Sequence, residues 1–189
     1  MRRLLELEKQ VENCKACDLW KKRKHPVFGE GPENAKVMLI GLGPGYWENQ
    51  KGRPFVGAAG KFLNELLSLA ELKREDVYIT NVVKCYLPEN KVTEEEVKVC
   101  TSLYLDKQIE IIKPKIIITL GNVATEYIFK KFNLPLTSMN KLHGKSFIVS
   151  NLFLQAKIIP MYHPAAGLRN PGLRSTIEED WKIIKEVIK

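Results

Sequence analysis

The fold of this chain is decided by residues 37–60, VMLIGLGPGYWENQKGRPFVGAAG. The first five residues form a short apolar run, which predicts a buried strand. In the loop that follows, the glycines lack the side chains that would keep a ligand away, and Pro44 fixes φ. Phe55 then offers an aromatic face just before a helical pattern begins. The stretch therefore predicts a strand, a loop that approaches a flat ligand closely, and a helix.

Strands and helices alternate along the rest of the chain. Short apolar runs predict further strands at 76–83, 115–120 and 156–162, and a weaker hairpin-like stretch lies at 145–155. Helical patterns lie at 57–70, 93–112 and 122–132, and from about 175 to the end. Thr93 and Glu96 form a candidate capping box at the start of the second of these helices. This alternation favours a mostly parallel sheet with helices on both faces.

Three segments follow the carboxyl ends of the predicted strands. The GLGPG loop (41–45) follows the first strand, Asn81 lies late in the second, and His163 follows the fourth. Ligands of parallel sheets bind beyond the carboxyl ends of the strands. We therefore expect these segments to converge on one rim and to form one pocket.

The charge of the chain favours a polyanionic partner. The 189 residues carry a formal net charge of +8 and a pI near 9.3, and a pI above about 9 is one electrostatic mark of nucleic-acid-binding proteins. Lysine-rich surfaces also occur in proteins that bind no nucleic acid, thermophile proteins included. The densest basic run, KKRK at 21–24, is accordingly either a binding patch or a solvated loop.

The length and the N-terminus predict a single domain outside the membrane. No apolar run approaches the ~20 residues that cross a bilayer. The N-terminal MRRLLELEKQVENC places leucines among charges at helical spacing and predicts an amphipathic helix instead of a signal peptide. We expect a cytoplasmic monomer whose one domain spans residues 1–189.

The cysteines suggest a common site without identifying it. The chain has four, Cys14 and Cys17 in a CxxC and Cys85 and Cys100 far downstream. Disulfides are rare in the cytosol, which leaves a Cys₄ zinc site, a [4Fe–4S] cluster or unconnected buried thiols. Thiolates suit both metals, so the spacing alone leaves the three interpretations open.

Taken together, the motifs resemble those of family 4 uracil-DNA glycosylases, the iron–sulfur type found in archaea and thermophilic bacteria. The resemblance covers nearly the whole chain and rests on the order and spacing of CxxC at 14–17, GLGPG at 41–45, GRPFVGAAG at 52–60, TNVVKC at 80–85, Cys100 and HPAAGLRNP at 163–171. It implies a three-layer αβα sandwich with a central four-stranded parallel sheet. It also implies a structural [4Fe–4S] cluster on Cys14, Cys17, Cys85 and Cys100. The implied activity is hydrolysis of the N-glycosidic bond of flipped-out uracil in DNA, which leaves an abasic site.

The resemblance implies roles for the pocket residues. Phe55 would stack on the extruded uracil, and Asn81 would accept from N3–H and donate to O4, a pattern that cytosine reverses. His163 would donate to O2 as negative charge develops on the departing base. Backbone N–H groups around Leu42 and Gly43 would assist it in the manner of an oxyanion hole.

Two positions of the first motif bear on water activation and substrate range. Leu42 stands where family 4 usually has an acid, and a leucine there is closer to the family 5 enzymes, whose substrate range is broader. Glu48 occupies a second acidic position of the loop, where it would exclude the thymine methyl group or position water. Leu42 therefore leaves two alternatives: a glycosylase that also removes hypoxanthine or xanthine, or a uracil- or abasic-DNA-binding protein with little turnover.

The segment 165–174 resembles the minor-groove insertion loop of the family. Leu168 would wedge into the space that the base leaves, while Arg169 and Arg174 would hold flanking phosphates. The expected partner is uracil-containing DNA, single- or double-stranded, with a sliding clamp as a further candidate. The remaining histidines, His25 and His143, lie outside the motifs and are expected on the surface or in loops.

Overall fold

The computed structural model of the chain describes residues 2–152 and 154–188 and has a five-stranded sheet at its centre. The strands are β1 (Val37–Gly41), β2 (Val77–Asn81), β3 (Ile116–Leu120), β4 (Phe147–Ser150) and β5 (Gln155–Met161). They lie in the order β2-β1-β3-β5-β4, with β4 antiparallel to β5 and the other pairs parallel. The predicted four-stranded parallel sheet is therefore present. The hairpin-like stretch adds a fifth, antiparallel strand at its edge.

Helices cover both faces of this sheet. They are α1 (Arg2–Glu12), α2 (Tyr46–Lys51), α3 (Ala58–Leu69), α4 (Glu94–Cys100), α5 (Asp106–Ile112), α6 (Asn122–Lys131), α7 (Met139–Leu142), α8 (Pro164–Arg169) and α9 (Pro171–Ile188). A π-helical turn, Thr101–Leu105, joins α4 to α5, so the helix predicted over 93–112 forms as one rod. Within the described ranges, every helix is too short or too polar to cross a bilayer.

The segment 165–174 differs from the loop expected there. It forms α8 and the first turn of α9, which begins at Pro171 and not near residue 175. Two prolines explain the difference, because proline is well suited to the first turn of a helix, where its missing N–H has no intrahelical partner. Pro164 stands at the start of α8 and Pro171 at the start of α9.

Two apolar cores lie on opposite faces of the sheet, which confirms the three-layer αβα architecture. Alternate residues of β1 enter different cores, Met38 and Ile40 on one side and Val37 and Leu39 on the other. The first core also contains residues of α1, α5 and α6, and the second contains residues of α3 and α9. Strands covered on both faces are apolar throughout, which is why the parallel strands could be predicted from short apolar runs in the sequence.

The parallel strands end together along one edge. Gly41 at the end of β1 pairs in register with Asn81 at the end of β2, and Leu120 at the end of β3 pairs with Met161 at the end of β5. The loops that leave these strands therefore meet at the carboxyl edge of the sheet, as the sequence predicted.

The capping box at the start of α4 gives a test of this fold. Thr93 Oγ1 accepts a hydrogen bond from the backbone N–H of Glu96 (3.2 Å), and the carboxylate of Glu96 accepts one from the backbone N–H of Thr93 (2.8 Å). Because Thr93→Ala removes the first acceptor, we expect it to lower the free energy of unfolding by about 1 kcal/mol. Urea unfolding measures this difference. Thr93→Ser keeps the hydroxyl and should match the wild type, whereas equal stability of the alanine variant contradicts the role of the cap.

Candidate active site

A cavity of about 440 Å³ opens at the carboxyl edge of the sheet. Its volume lies within the range of about 300–1,000 Å³ that is typical of small-ligand sites. The residues around it include every predicted catalytic or substrate-binding residue together with one predicted DNA contact: Leu42, Gly43, Glu48, Phe55, Asn81, His163 and Arg169. Side chains from three separate regions of the sequence thus share one cavity.

The side chain of Asn81 is buried and has an unpaired acceptor. Asn81 is 2% exposed, and no donor among the described residues reaches its Oδ1 atom. A buried acceptor without a partner costs free energy unless a ligand or water supplies the donor. A Cβ atom on Gly41 would lie 2.5 Å from this Oδ1 and 2.7 Å from Cζ of Phe55. Only glycine at the end of β1 therefore lets these two side chains approach each other.

Phe55 lies beside Asn81 in a backbone conformation that is uncommon for an aromatic residue. Its φ is +49°, a region that non-glycine residues seldom occupy and that usually marks a functional constraint. A Cβ atom on Gly60 would lie 1.9 Å from the Phe55 carbonyl oxygen, so the chain passes tightly against the start of α3. The ring centroids of Phe55 and His163 are 5.5 Å apart, with the planes tilted by 29°. This separation leaves no room for a planar base between the two rings, so a base would lie on Phe55 beside His163.

The first turn of α8 fixes the tautomer of His163. Nδ1 accepts a hydrogen bond from the backbone N–H of Ala165 (3.1 Å) and thereby caps the helix. Burial lowers the pKa of His163 to about 4, helped by the nearby charge of Arg169 and opposed by Glu48. The imidazole is therefore neutral at pH 7 with its proton on Nε2, which makes Nε2–H the donor available to a ligand.

Glu48 supports the loop that carries Phe55. Its Oε1 atom accepts hydrogen bonds from the backbone N–H groups of Val56 (2.9 Å) and Gly57 (3.0 Å). Its Oε2 atom lies on the side of Gly45, 2.9 Å from where a Cβ of that residue would stand. Glu48 therefore has a structural task that the sequence did not reveal, in addition to its place in the cavity wall.

Arg74 holds the same loop from outside the cavity and was not identified from the sequence. Its guanidinium donates to the carbonyl oxygens of Pro54 (2.7 Å) and Phe55 (3.3 Å). Glu30 in turn accepts from Arg74 Nη2 (2.6 Å) and from Arg53 Nε (2.8 Å). Arg74 lies in a short 3₁₀ turn before β2, outside the motifs. No sequence signal distinguishes it from other surface arginines.

The predicted DNA contacts differ in their surroundings. Leu168 is 42% exposed, and Arg169 is exposed at the last turn of α8 on the cavity wall. Arg174 instead pairs with Glu65 (2.8 Å) and Glu178 (2.9 Å), and its guanidinium lies 4.3 Å from the ring centroid of Phe62. A phosphate would have to compete with both carboxylates for the guanidinium, which disfavours the phosphate contact predicted for Arg174.

The four cysteines line a second, smaller cavity behind β2. The walls of this cavity contain Cys14, Cys17, Cys85 and Cys100, and none of the four forms a disulfide. Burial raises the pKa of Cys100 to about 12 and raises those of Cys17 and Cys85. Among the described residues, no group of three or more His, Cys, Asp or Glu side chains is arranged to hold a single metal ion.

Two cations that the sequence reading did not assign adjoin these cysteines. Arg23 of the KKRK run points inward and donates from Nη1 to Cys85 Sγ (3.2 Å). Lys84 is 1% exposed, and its ammonium donates to Thr80 Oγ1, Gln108 Oε1 and the carbonyl oxygen of Asn81, each at 2.7 Å. Burial lowers the pKa of Lys84 to about 7, opposed by Cys100. Lys84 therefore connects the cysteine cavity to the end of β2.

The two remaining histidines have different environments. His25 is exposed, as expected. His143 follows α7 and is partly buried, and its Nδ1 lies 2.7 Å from Asp180 Oδ2 on α9. His143 thus lies in a turn, within the expectation of a surface or loop position, and its contact with Asp180 ties the α7 turn to the long C-terminal helix.

A parallel sheet with an apolar ring, a buried carboxamide and a neutral histidine at its carboxyl edge defines a class of base-recognising enzymes. The family model described as the uracil DNA glycosylase superfamily matches residues 28–186 of the chain. The type-4 uracil-DNA glycosylase of Sulfurisphaera tokodaii is 46% identical over 97% of the chain and 84% of the relative. The type-4 enzyme of Archaeoglobus fulgidus is 44% identical over 99% of the chain and 94% of the relative. A type-5 uracil-DNA glycosylase of Pyrobaculum aerophilum is 31% identical over 93% of the chain and 81% of the relative.

The chain therefore belongs to the type-4 uracil-DNA glycosylase family. This confirms the resemblance drawn from the motifs. The roles of individual pocket residues and the effect of Leu42 remain predictions that the comparisons do not address.

The ion pairs of Glu30 give a prediction of pH dependence. Burial alone would raise the pKa of Glu30, but hydrogen bonds from Arg53 and Arg74 outweigh it and hold the pKa below its usual value. A carboxylate with a lowered folded pKa stabilises the protein fully above its unfolded pKa, and this contribution is lost as the pH falls through the folded value. Glu30→Gln should therefore be less stable than the wild type at pH 7, and the difference should shrink below about pH 4.

Urea unfolding of both proteins at pH 7 and pH 3.5 tests this expectation. Glu89→Gln is a matched control, since Glu89 pairs with Lys91 on the open surface (74% and 82% exposed) and should show little difference at either pH. A gap between wild type and Glu30→Gln that is the same at both pH values would refute the role of the ionised carboxylate.

Proposed function

We propose that this protein is a DNA repair glycosylase that removes uracil from DNA and leaves an abasic site. The observation that carries the proposal is the unpaired, buried Oδ1 of Asn81 in the cavity. An acceptor held without a partner in a rigid site selects a ligand that brings an N–H to that place, since analogues that lack the donor leave it unsatisfied. Uracil N3–H is such a donor, whereas cytosine N3 is itself an acceptor.

The cavity supplies a face and an edge for an extruded base. Phe55 offers the face, and its uncommon backbone conformation is maintained by Glu48, Arg74 and Gly60. Asn81 offers the edge, and its backbone carbonyl is held by Lys84. Because these supports are in place before a ligand arrives, little ordering remains to be done on binding. The base itself must leave the helical stack, which costs a few kcal/mol.

His163 is placed to stabilise the leaving group. As the bond between C1′ of the sugar and N1 of uracil breaks, both electrons pass to the base and positive charge develops on the sugar. Nε2–H of the neutral imidazole then donates to O2 of the uracil anion, with backbone N–H groups of Leu42 and Gly43 as candidate further donors. Water adds hydroxide to C1′, and its remaining proton completes the free uracil.

Glu48 would position the attacking water, because residue 42, where the family usually has an acid, is a leucine. Leu42 has no ionisable group, and its side chain packs against the core while lining the cavity. The carboxylate of Glu48 keeps the loop closed through Oε1 and has Oε2 for a water molecule. Loss of a general base costs about 10²–10⁴-fold in rate. A reaction driven mainly by leaving-group stabilisation would retain activity without it, so we propose a working enzyme and not only a binding protein.

DNA would approach along the rim that carries α8. Leu168 is exposed there as a candidate wedge, and Arg169 lies between the cavity and solvent as a candidate phosphate contact. The net charge of +8 supports attraction of a polyanion.

We also propose that Cys14, Cys17, Cys85 and Cys100 bind a [4Fe–4S] cluster. They share one cavity, and four cysteine thiolates are the usual ligands of such a cluster. Arg23 donates a hydrogen bond to Sγ of Cys85, and Lys84 lines the same cavity. When bound, the cluster supplies a cross-link and no step of the reaction. It would join the segment after α1 to the end of β2 and to α4.

Asn81→Ala is the sharpest test of the proposed recognition. We expect wild-type protein to release uracil from an oligonucleotide with one deoxyuridine, detected as strand breaks after alkali. The variant should lose about 10²-fold or more in single-turnover rate, because the donor pattern of uracil is no longer matched. Asn34→Ala, an exposed asparagine far from the cavity, should behave as wild type.

Three results would contradict parts of the proposal. Wild-type protein that binds uracil-DNA but produces no alkali-labile sites is a binding protein. Strand breaks on hypoxanthine or xanthine oligonucleotides at rates equal to those on uracil indicate a broader glycosylase. Full activity of a folded Asn81→Ala variant removes Asn81 from base recognition.

The cluster is tested on the purified protein without reference to activity. We expect anaerobically purified protein to be brown, with broad visible absorbance and equal amounts of iron and acid-labile sulfide. Cys100→Ser should lose this absorbance and unfold at lower temperature, since one ligand of the cross-link is removed. Colourless wild-type protein that carries zinc, or no metal at all, rules out the iron–sulfur assignment.

A further inference from the structure

Tyr46 and Trp47 at the start of α2 form an exposed aromatic pair. They are 57% and 56% exposed, respectively, which is unusual for two large aromatic residues in succession. Their ring centroids lie 5.3 Å apart, and the planes are nearly perpendicular at 80°. The pair therefore presents a flat face and an adjoining edge to solvent. Neither the fold nor the recognition of uracil described above uses these rings.

The pair adjoins the active-site cavity without lining it. The residues on either side of it in the sequence, Gly45 and Glu48, both line that cavity. Trp47 also packs close to the loop of Phe55, because a Cβ atom on Gly57 would lie 3.4 Å from Cδ1 of the indole. A nucleotide chain with one base in the cavity would bring its next nucleotides within reach of these rings.

Basic residues lie alongside the same short helix. The backbone N–H of Lys24 donates to Asn49 Oδ1 (2.7 Å), and its ammonium donates to Gln50 Oε1 (3.0 Å). Lys51 is exposed at the end of the helix. The end of the KKRK run is thus packed against α2, the helix that also carries the two exposed rings. Exposed aromatics in a basic surface are the usual means of binding single-stranded nucleic acid.

We propose that Tyr46 and Trp47 form a stacking site for an unpaired base of single-stranded DNA, next to the nucleotide whose base occupies the cavity. This inference rests on the proposed function, because it takes the cavity as the position of the extruded base. The site is specific for single strands for a physical reason. In a duplex both faces of each neighbouring base are covered, and uncovering one costs a few kcal/mol, whereas a single strand offers free faces to any aromatic ring. The net charge and the continuity with the cavity favour DNA over a protein partner.

The first experiment measures affinity for DNA that contains no uracil. Fluorescence anisotropy compares a labelled thymidine oligonucleotide with a duplex of equal length at one salt concentration. Trp47→Ala should bind the single strand about 5- to 150-fold more weakly than the wild type, with a change on the duplex of no more than about 3-fold. Tyr46→Ala should shift in the same direction. Trp47→Phe retains a stacking ring and should recover most of the affinity.

A second measurement reports stacking directly. A base stacked on Trp47 should quench its fluorescence, whereas Trp181 is fully buried and cannot take part. Addition of the thymidine oligonucleotide should therefore quench wild-type emission. Trp47→Phe should abolish the quenching, and Trp20→Phe should retain it. Ile183→Ala, an exposed aliphatic residue on α9, is the surface control for both experiments and should bind as wild type.

The outcomes separate this inference from the proposed function. Unchanged single-strand affinity in Trp47→Ala and Tyr46→Ala, or an equal loss on duplex DNA, overturns the stacking site. So does quenching that persists in Trp47→Phe. Because the probe has no uracil, a protein that fails to excise uracil but shows the expected loss and quenching leaves the stacking site standing while the proposed activity fails. If Trp47→Ala does not fold, two other results test the site: the single-strand affinity of Tyr46→Ala, and whether the DNA still quenches the fluorescence of Trp47→Phe.

Discussion

The close approach of Asn81 and Phe55 across Gly41 is the contact on which the rest of the site depends. Any side chain at Gly41 would overlap both the carboxamide oxygen and the aromatic ring. The register of β1 and β2 places Gly41 beside Asn81, and the loop after α2 returns Phe55 to the same point. The parallel sheet therefore does more than support the cavity. It brings a buried carboxamide and an aromatic ring close together, and the absence of a side chain at Gly41 allows them to meet.

Two layers of support surround this contact. Glu48 and Arg74 hold the N–H groups and the carbonyl groups of the Phe55 loop, respectively, so that both polar sides of an uncommon backbone conformation are satisfied. On the opposite side, Lys84 holds the carbonyl of Asn81 and adjoins the cysteine cavity. The cavity at the carboxyl edge of the sheet and the cavity lined by cysteines are thus separated by little more than the end of β2. In the proposed function, this arrangement would connect a cluster on the cysteines physically to Asn81, although the cluster would take no part in the reaction.

Most of the fold could be predicted from the sequence because buried parallel strands appear as apolar runs. The carboxyl ends of such strands must also lie along the same edge of the sheet. The sequence also brought together Phe55, Asn81 and His163 correctly, since each lies in a motif of recognisable spacing. The edge strand β4 was read only as a weak hairpin, because just Val149 of its residues is buried and the pattern is correspondingly faint. Arg74, Arg23 and Lys84 were not predicted. Their importance comes from distant partners, and arginine or lysine on its own carries no sequence signal for that. The loop expected at 165–174 is helical because Pro164, just before it, and Pro171, within it, each begin a helix instead of interrupting one.

The cap of α8 by His163 has a consequence for how the protein responds to acidity. A free imidazole changes charge between pH 5 and 8. This one is partly buried and accepts a hydrogen bond from a helix terminus, with a pKa of about 4. Gaining a second proton would mean uncapping the helix. One ring nitrogen is thereby committed to the backbone, and the hydrogen of the neutral ring is on the other. In the proposed reaction, a departing base would meet the same Nε2–H donor at any pH well above 4, and no carboxylate partner would be needed to hold it.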